Sequence, residues 1–198
     1  MTTRSAFTQQ IQNRNFLSPV GFKFTLTKAP KVAFFCQQAG LPEISLGIAN
    51  QPSYLKDIPV PGDKLEYADL SITFLVDENL ENYMSIHNWM LGLGFPETAQ
   101  QFEDLVSDPD RVARRDKNAA QPDYNQQFSD ASLIILSSMF NPLHTVRFKD
   151  LFPYSLTGLD FNATESDTEY FTATASFKYT YFTIEDMGGT RRTTTFVD

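Results

Sequence analysis

A chain of 198 residues with 41% hydrophobic and 14% aromatic content is long enough to close one buried core, and it reads as a single domain over 1–198. Its 16 basic and 24 acidic residues leave a net charge of −8, which argues against a protein that grips nucleic acid by neutralising phosphates; an acidic surface would instead let DNA slide past without sticking. The single cysteine excludes an internal disulfide framework and a thiolate metal cluster, so a reducing cytoplasm is the expected place of folding. Met1 to Arg14 is polar, without the apolar core of a secretory signal. No segment approaches the roughly 18 consecutive apolar residues of a spanning helix, so no membrane partner is expected.

The first periodic segment is Phe22, Phe24 and Leu26 against Lys23, Thr25 and Thr27, the alternation of a half-buried strand. Lys28-Ala29-Pro30-Lys31 predicts a turn. Val32 to Cys36 then returns as a second strand, making a hairpin in which Cys36 is a buried small hydrophobe and not a reactive thiol. Residues 47–62 carry Pro52, Pro59 and Pro61 with little periodicity, which predicts a projecting arm outside any regular central strand. Leu70, Ile72, Phe74 and Val76 form the next strand, ending at Asp77-Glu78, where Asp77 is placed to cap a helix.

That helix is expected from Asn79 to Leu91, with Leu80, Tyr83, Met84, His87 and Met90 or Leu91 along its core face, and with Gly92, Gly94 and Pro96 ending it. Residues 97–130 read as an exposed polar insertion with a short helix over Thr98–Val106. Leu133 to Leu136 is a continuous apolar run suited to a strand covered on both faces. After the Asn141-Pro142 turn, Val146 and Phe148 share one face of a short strand closed by Leu151-Phe152-Pro153. The last strand has the plainest alternation, with Phe171, Ala173, Ala175, Phe177, Tyr179 and Tyr181 opposite Thr172, Thr174, Ser176, Lys178 and Thr180. The extension 185–198 has no apolar period and is expected to order only against a neighbour.

Residues that carry chemistry are few. His87 and His144 lack the neighbouring His, Cys or carboxylate spacing of a zinc site, and Gly92-x-Gly94 lacks both the third glycine and the preceding strand of a phosphate loop. Asp63, Glu66, Asp69, Asp77 and Glu78 have no recognisable sugar site beside them. The basic run Arg111 to Lys117 is nearly cancelled by Asp108, Asp110 and Asp116. No catalytic, cofactor-binding or metal-binding residue is therefore assigned, and no cofactor is expected.

The order of several short features is more informative than any one of them. Phe16, Pro19 and Phe22 lead into the first strand, and Cys36 is followed by Ala39-Gly40-Leu41-Pro42. Ile58-Pro59-Val60-Pro61 precedes Gly62-Asp63, and Asp77-Glu78 stands ahead of a helix carrying Trp89. Leu151-Phe152-Pro153 comes before Leu159, Phe171, Thr174 and Tyr179, and Thr3-Arg4 and Ala6-Phe7 open the chain. This arrangement resembles the tail tube proteins of contractile, T-even-like bacteriophages over most of its length.

The resemblance implies a mainly β fold, a β-barrel or sandwich with one flanking α-helix and an inserted polar segment. It implies a structural protein and not an enzyme, in hexameric rings stacked into a tube that DNA passes through without specific binding. Implied partners are other copies of the chain, the tail sheath protein, and baseplate and tail terminator proteins; the implied location is the virion tail after synthesis in the host cytoplasm. In such a tube Ile48, Tyr54, Leu55, Ile58 and Val60 on the arm are candidates for burial between subunits. Thr172, Thr174, Ser176 and Lys178 are candidates to face the lumen, since a polar face backed by Ala and aromatic residues suits a water-lined wall. The alternatives are a baseplate tube initiator or a tube-capping protein of the same fold, and, further off, a β-sandwich binding module or enzyme.

Overall fold

The computed structural model describes residues 16–107, 127–162 and 170–186. In chain order they form β1 (Phe22–Leu26), the short helix α1 (Pro30–Phe34), β2 (Cys36–Ala39), β3 (Ile44–Gln51), β4 (Ile58–Tyr67), β5 (Leu70–Leu75) and α2 (Glu81–Gly94). Then come α3 (Gln100–Ser107), β6 (Ser129–Leu136), β7 (Pro142–Leu156), β8 (Thr172–Lys178) and β9 (Tyr181–Asp186). One antiparallel sheet runs β1-β6-β7-β8-β5-β2, with β9 added on β7, while β3 and β4 pair only with each other.

β7 holds the two halves of the large sheet together. From His144 to Lys149 it pairs with β9, and from Pro142 to Leu151 with β6; from Phe152 to Leu156 it pairs with β8. At the handover Asp150 takes φ 54, a left-handed conformation that Asp tolerates better than most residues, and the register with β6 shifts between Ser129 and Ala131. A single bent strand thus lets both half-sheets share one core. Phe24, Leu26, Leu133, Val146 and Phe148 come from one half, and Leu70, Ile72, Phe74, Ala175 and Phe177 from the other. The fold is mainly β with a flanking helix, as expected, but the path ends on β1 and β2 and is not closed into a barrel.

α2 covers an opening of this core with Ile86 and Trp89. Trp89 packs its ring 6.3 Å from that of Phe177 and donates Nε1–H to the Gln127 carbonyl at 3.0 Å. Asn82, fully buried, accepts the Asp77 N–H at 3.1 Å and donates to the Leu75 carbonyl at 2.7 Å, tying the start of α2 to the end of β5.

Several local expectations are corrected. Val32 to Phe34 is helical, because Pro30 occupies the first helical turn where its missing N–H costs nothing; Val32 is buried while Phe34 is 82% exposed, so the two do not share a strand face. Consequently β1 pairs with β6 and β2 pairs with β5, and there is no β1–β2 hairpin. Cys36 is half-buried on β2, and burial pushes its thiol up to about 11, in keeping with an unreactive side chain.

The helix starts at Glu81, after a left-handed Leu80, with no side-chain cap from Asp77. It runs through Gly92 and Gly94 to a left-handed Phe95, whose N–H reaches the Leu91 carbonyl. Its inward face is Asn82, Ile86, Trp89 and Gly92; of the expected stripe Tyr83 and Met90 are half-buried against the core, while Leu80 and Met84 are exposed. Pro153 does not close β7, and Leu133 is buried while Ile134 to Leu136 are only half-buried. The expected long last strand is broken at Tyr179-Thr180 into β8 and β9, which pair with different halves of β7. The short helix expected at Thr98–Val106 appears as α3; most of the 97–130 insertion, and all of the 185–198 extension after Asp186, lie outside the described residues.

Candidate functional site

The hairpin of β3 and β4 is a surface the core does not use. Ile44 pairs with Tyr67, Leu46 with Leu65 and Ile48 with Pro61, so these residues stand on one face of the ribbon. Every residue of β3 is exposed, as is β4 apart from half-buried Gly62 and Tyr67. Pro59 and Pro61 fit within β4 because a two-stranded ribbon leaves each strand an edge with no ladder to complete. The irregular arm expected over 47–62 is thus a regular hairpin from Ile44 to Tyr67. The tip carries Tyr54 and Leu55, 100% and 93% exposed.

The base of the ribbon is held by the core. Ala68 N–H donates to the Glu43 carbonyl at 2.9 Å, and the Tyr179 hydroxyl donates to the Ala68 carbonyl at 2.8 Å. The Tyr67 ring sits 5.5 Å from Phe182 and 6.0 Å from Tyr179, which in turn lies 5.2 Å from Phe148 at the centre of the core. Burial, with smaller contributions from Tyr67 and Asp69, pushes the Tyr179 hydroxyl up to about 12.

A second surface is the wet face of β5 and β8. Ser71 pairs with Ser176, Thr73 with Thr174 and Leu75 with Thr172, while Ser155 of β7 also lies opposite Ser176. The Thr73 and Thr174 hydroxyls are 3.1 Å apart, and Thr157 Oγ1 accepts the Thr174 N–H at 2.8 Å. At one end Asp69 accepts from Lys178 and from the Tyr154 hydroxyl, with the Lys178 ammonium 5.3 Å from the centre of the Tyr154 ring. This face therefore presents hydroxyls, and its charges neutralise each other. Lys178, then Tyr154, hold the Asp69 carboxyl below its usual range, and Asp69 raises both partners.

The remaining candidates for chemistry stand apart. His87 lies on α2 with its Nδ1 unpartnered, and His144 Nδ1 is 2.9 Å from Asp186 at the far end of β7 and β9. Among the described residues no group of three or more His, Cys, Asp or Glu side chains is placed to hold a metal ion, and no helix is long and apolar enough to cross a membrane. The basic run Arg111 to Lys117 lies outside the described residues.

A family model for phage tail tube protein matches residues 3–185. The chain belongs to that family. Among relatives of this tail tube family member is the tail tube terminator protein of Enterobacteria phage T4, 27% identical over 131 residues that make up 65% of this chain and 62% of the T4 protein. The chain thus matches less than two thirds of that relative's length. Its fold is shared with the anti-feeding prophage tube terminating cap, at 14% identity and a TM-score of 0.54 over 92% of this chain and 99% of the other. It is likewise shared with a chain of the PVC sheath-tube complex of an extracellular contractile injection system, at 13% identity and a TM-score of 0.52 over 93% and 100%.

For this tail tube family protein, the expected interface residues Ile48, Tyr54, Leu55, Ile58 and Val60 all lie on the hairpin and are exposed. The expected lumen residues Thr172, Thr174, Ser176 and Lys178 share the face of β8 opposite buried Ala173, Ala175 and Phe177. Sequence reasoning missed Ile44, Leu46 and Leu65, because the proline count bounded the arm too tightly. Their alternation with Ser45, Gly47 and Glu66 was the available signal. It also missed that Asp69, just before β5, converges with Tyr154 of β7 and Lys178 of β8.

Proposed function

We propose that this protein forms hexameric rings of the inner conduit of a contractile phage tail, and that it serves as the terminator or cap of that tube. The observation that carries the assembly reading is the exposed apolar stripe of Ile44, Leu46, Ile48 and Leu65, which lies outside the chain's own core cluster. Burial of one such side chain contributes about 1.5–3 kcal/mol, and the natural place for it is a neighbouring copy. The face of Thr172, Thr174, Ser176 and Lys178 suits a lumen wall, since its cation Lys178 is paired with Asp69 and the face presents no block of like charge. Among the described residues β1 and β2 each leave one edge unpaired, available for strand pairing between copies in a ring.

The terminator role is supported by the match to the T4 tail tube terminator, and it gives the assembly a defined end that a head-to-tail contact otherwise lacks. Sheath, baseplate and other terminator proteins are the further partners of this reading, and the virion tail its location. The specific competitor is the repeating tube subunit, favoured by the fold shared with the sheath-tube complex.

Two measurements test the reading. Leu46→Asp with Ile48→Asp is expected to leave the unfolding temperature within a few degrees of wild type, since both positions are exposed, while abolishing rings in sedimentation and negative-stain microscopy. A wild-type protein that stays monomeric at high concentration overturns assembly. Copy number in purified tails separates the roles: about one ring per tail supports a terminator, and many rings support the repeating subunit.

A further inference from the structure

One flank of α2 is apolar, beside a polar one made of Glu81, Ser85 and Asn88. Leu80, Met84, His87 and Leu91 follow one another at helical spacing away from the core; Leu80 and Met84 are 37% and 43% exposed. A helix side that meets water ordinarily carries charge. On α2 only Glu81 is charged, and it is paired with Lys31.

Beside this stripe is a cleft of about 360 Å³, lined by Tyr83, His87, Met90, Leu91, Pro96 and Leu156. The Tyr83 hydroxyl is already used on the Thr157 carbonyl, which leaves the His87 imidazole as the polar group of the wall without a Nδ1 partner. Exposed Glu97 follows Pro96 at the mouth, and the chain from Glu81 to Ser107 contains no Lys or Arg. The cleft is therefore an apolar slot with a single carboxylate, Glu97, next in the chain to its lining residue Pro96 and within 3.5 Å of the Gln101 amide.

The hairpin tip has the complementary order. Tyr54 is fully exposed among the described residues; Leu55 follows at 93%, and the next residue is the exposed cation Lys56. We infer that Tyr54 and Leu55 of one copy dock in the α2 cleft of a second copy, with Lys56 facing Glu97. Apolar side chains enter the apolar slot, the charges at its rim are opposite, and Tyr54 brings a hydroxyl to the side of the helix that carries His87. The contact joins two different surfaces of the same chain, so when made in one direction between successive copies, and not exchanged reciprocally about a two-fold axis, it builds rings or stacks. It rests on the reading of the hairpin as an inter-subunit element and specifies where the tip lands.

The test uses the full chain with Cys36→Ser, leaving no native thiol, and adds Leu55→Cys together with Leu91→Cys. After assembly and treatment with a short bismaleimide, denaturing gels are expected to show covalent multimers for the double variant and monomers for either single one. A charge-swap arm covers the case in which the cysteine variant does not assemble. Lys56→Glu is expected to raise the concentration for half-assembly by about tenfold through repulsion from Glu97, and adding Glu97→Lys is expected to restore it. Assemblies that form normally but give no multimers, or a Lys56→Glu effect that Glu97→Lys does not rescue, overturn the tip-in-cleft contact and leave the tube reading standing. A wild-type chain that never assembles overturns the tube reading itself.

Discussion

Gly62 and Gly47 approach so closely across the β3–β4 hairpin that a β-carbon on Gly62 would stand 2.5 Å from the Gly47 carbonyl oxygen and 2.8 Å from its carbonyl carbon. The contact is backbone against backbone, so no side chain can swing aside to relieve it. It lies where the register shifts between Leu46 and Ile48 and the two strands change their offset. The Gly62-Asp63 step is thus a steric requirement of the hairpin.

Gly62→Ala should force the two strands apart locally. Because the hairpin is no part of the core, the unfolding temperature is expected to stay close to wild type. Amide hydrogen exchange over 44–67 should accelerate, and ring formation should fail. Unchanged exchange in that segment would show that the backbone relaxes around the new methyl group.

The carboxylate of Asp69, gathered with Tyr154 and Lys178, predicts an acid-side signature. Its pKa is lowered first by the hydrogen bond from Lys178 and then by that from Tyr154. A depressed carboxylate contributes stability that is fully present above the ordinary value, about 3.9, and is lost as pH falls through the lower folded value. Asp69→Asn should therefore melt below wild type at neutral pH, with the gap narrowing below pH 4. The group is exposed, so the gap is expected to be small and to shrink in high salt.

Tyr179 gives the opposite limb. Its hydroxyl, pushed up to about 12 chiefly by burial, contributes stability that is whole below its ordinary value of about 10 and declines as pH rises through 12. Tyr179→Phe should lose about 1 kcal/mol at neutral pH, where its hydrogen bond to Ala68 is removed, and should show less alkaline decline than wild type. Exchange at the Ala68 amide should rise with it, since that amide closes the hairpin base on Glu43.

Asn82 is the buried polar group on which the start of α2 depends, because Leu80 leaves the helix without a side-chain cap. Asn82→Ala would strand the Leu75 carbonyl and the Asp77 N–H, at a cost of about 2–3 kcal/mol. Chemical denaturation should record that loss as a lower midpoint with an unchanged slope. A cost under 0.5 kcal/mol would mean that water takes over both partners.

Much of this was legible in the chain. Period-2 alternation in Phe22–Leu26, Leu70–Leu75 and Thr172–Lys178 identified three strands and their buried faces, because a half-wet strand must alternate whatever lies beside it. The order of short features also named the family that the match over 3–185 shows. Tertiary structure decided which strands are neighbours: β1 lies beside β6, more than a hundred residues later, and alternation says which side is buried without saying by what.

It also decided which side of α2 turns inward. With apolar residues on more than one side, periodicity points in no single direction, and only the shape of the core selects Asn82, Ile86 and Trp89 over Leu80, Met84 and His87. The break at Tyr179-Thr180 has the same origin, since an alternating run does not reveal that β7 bends at Asp150 and offers its two halves to different partners. For the hairpin the sequence supplied prolines, glycines and exposed apolar residues, and long-range packing of Tyr67 on Tyr179 and Phe182 decided how it is held.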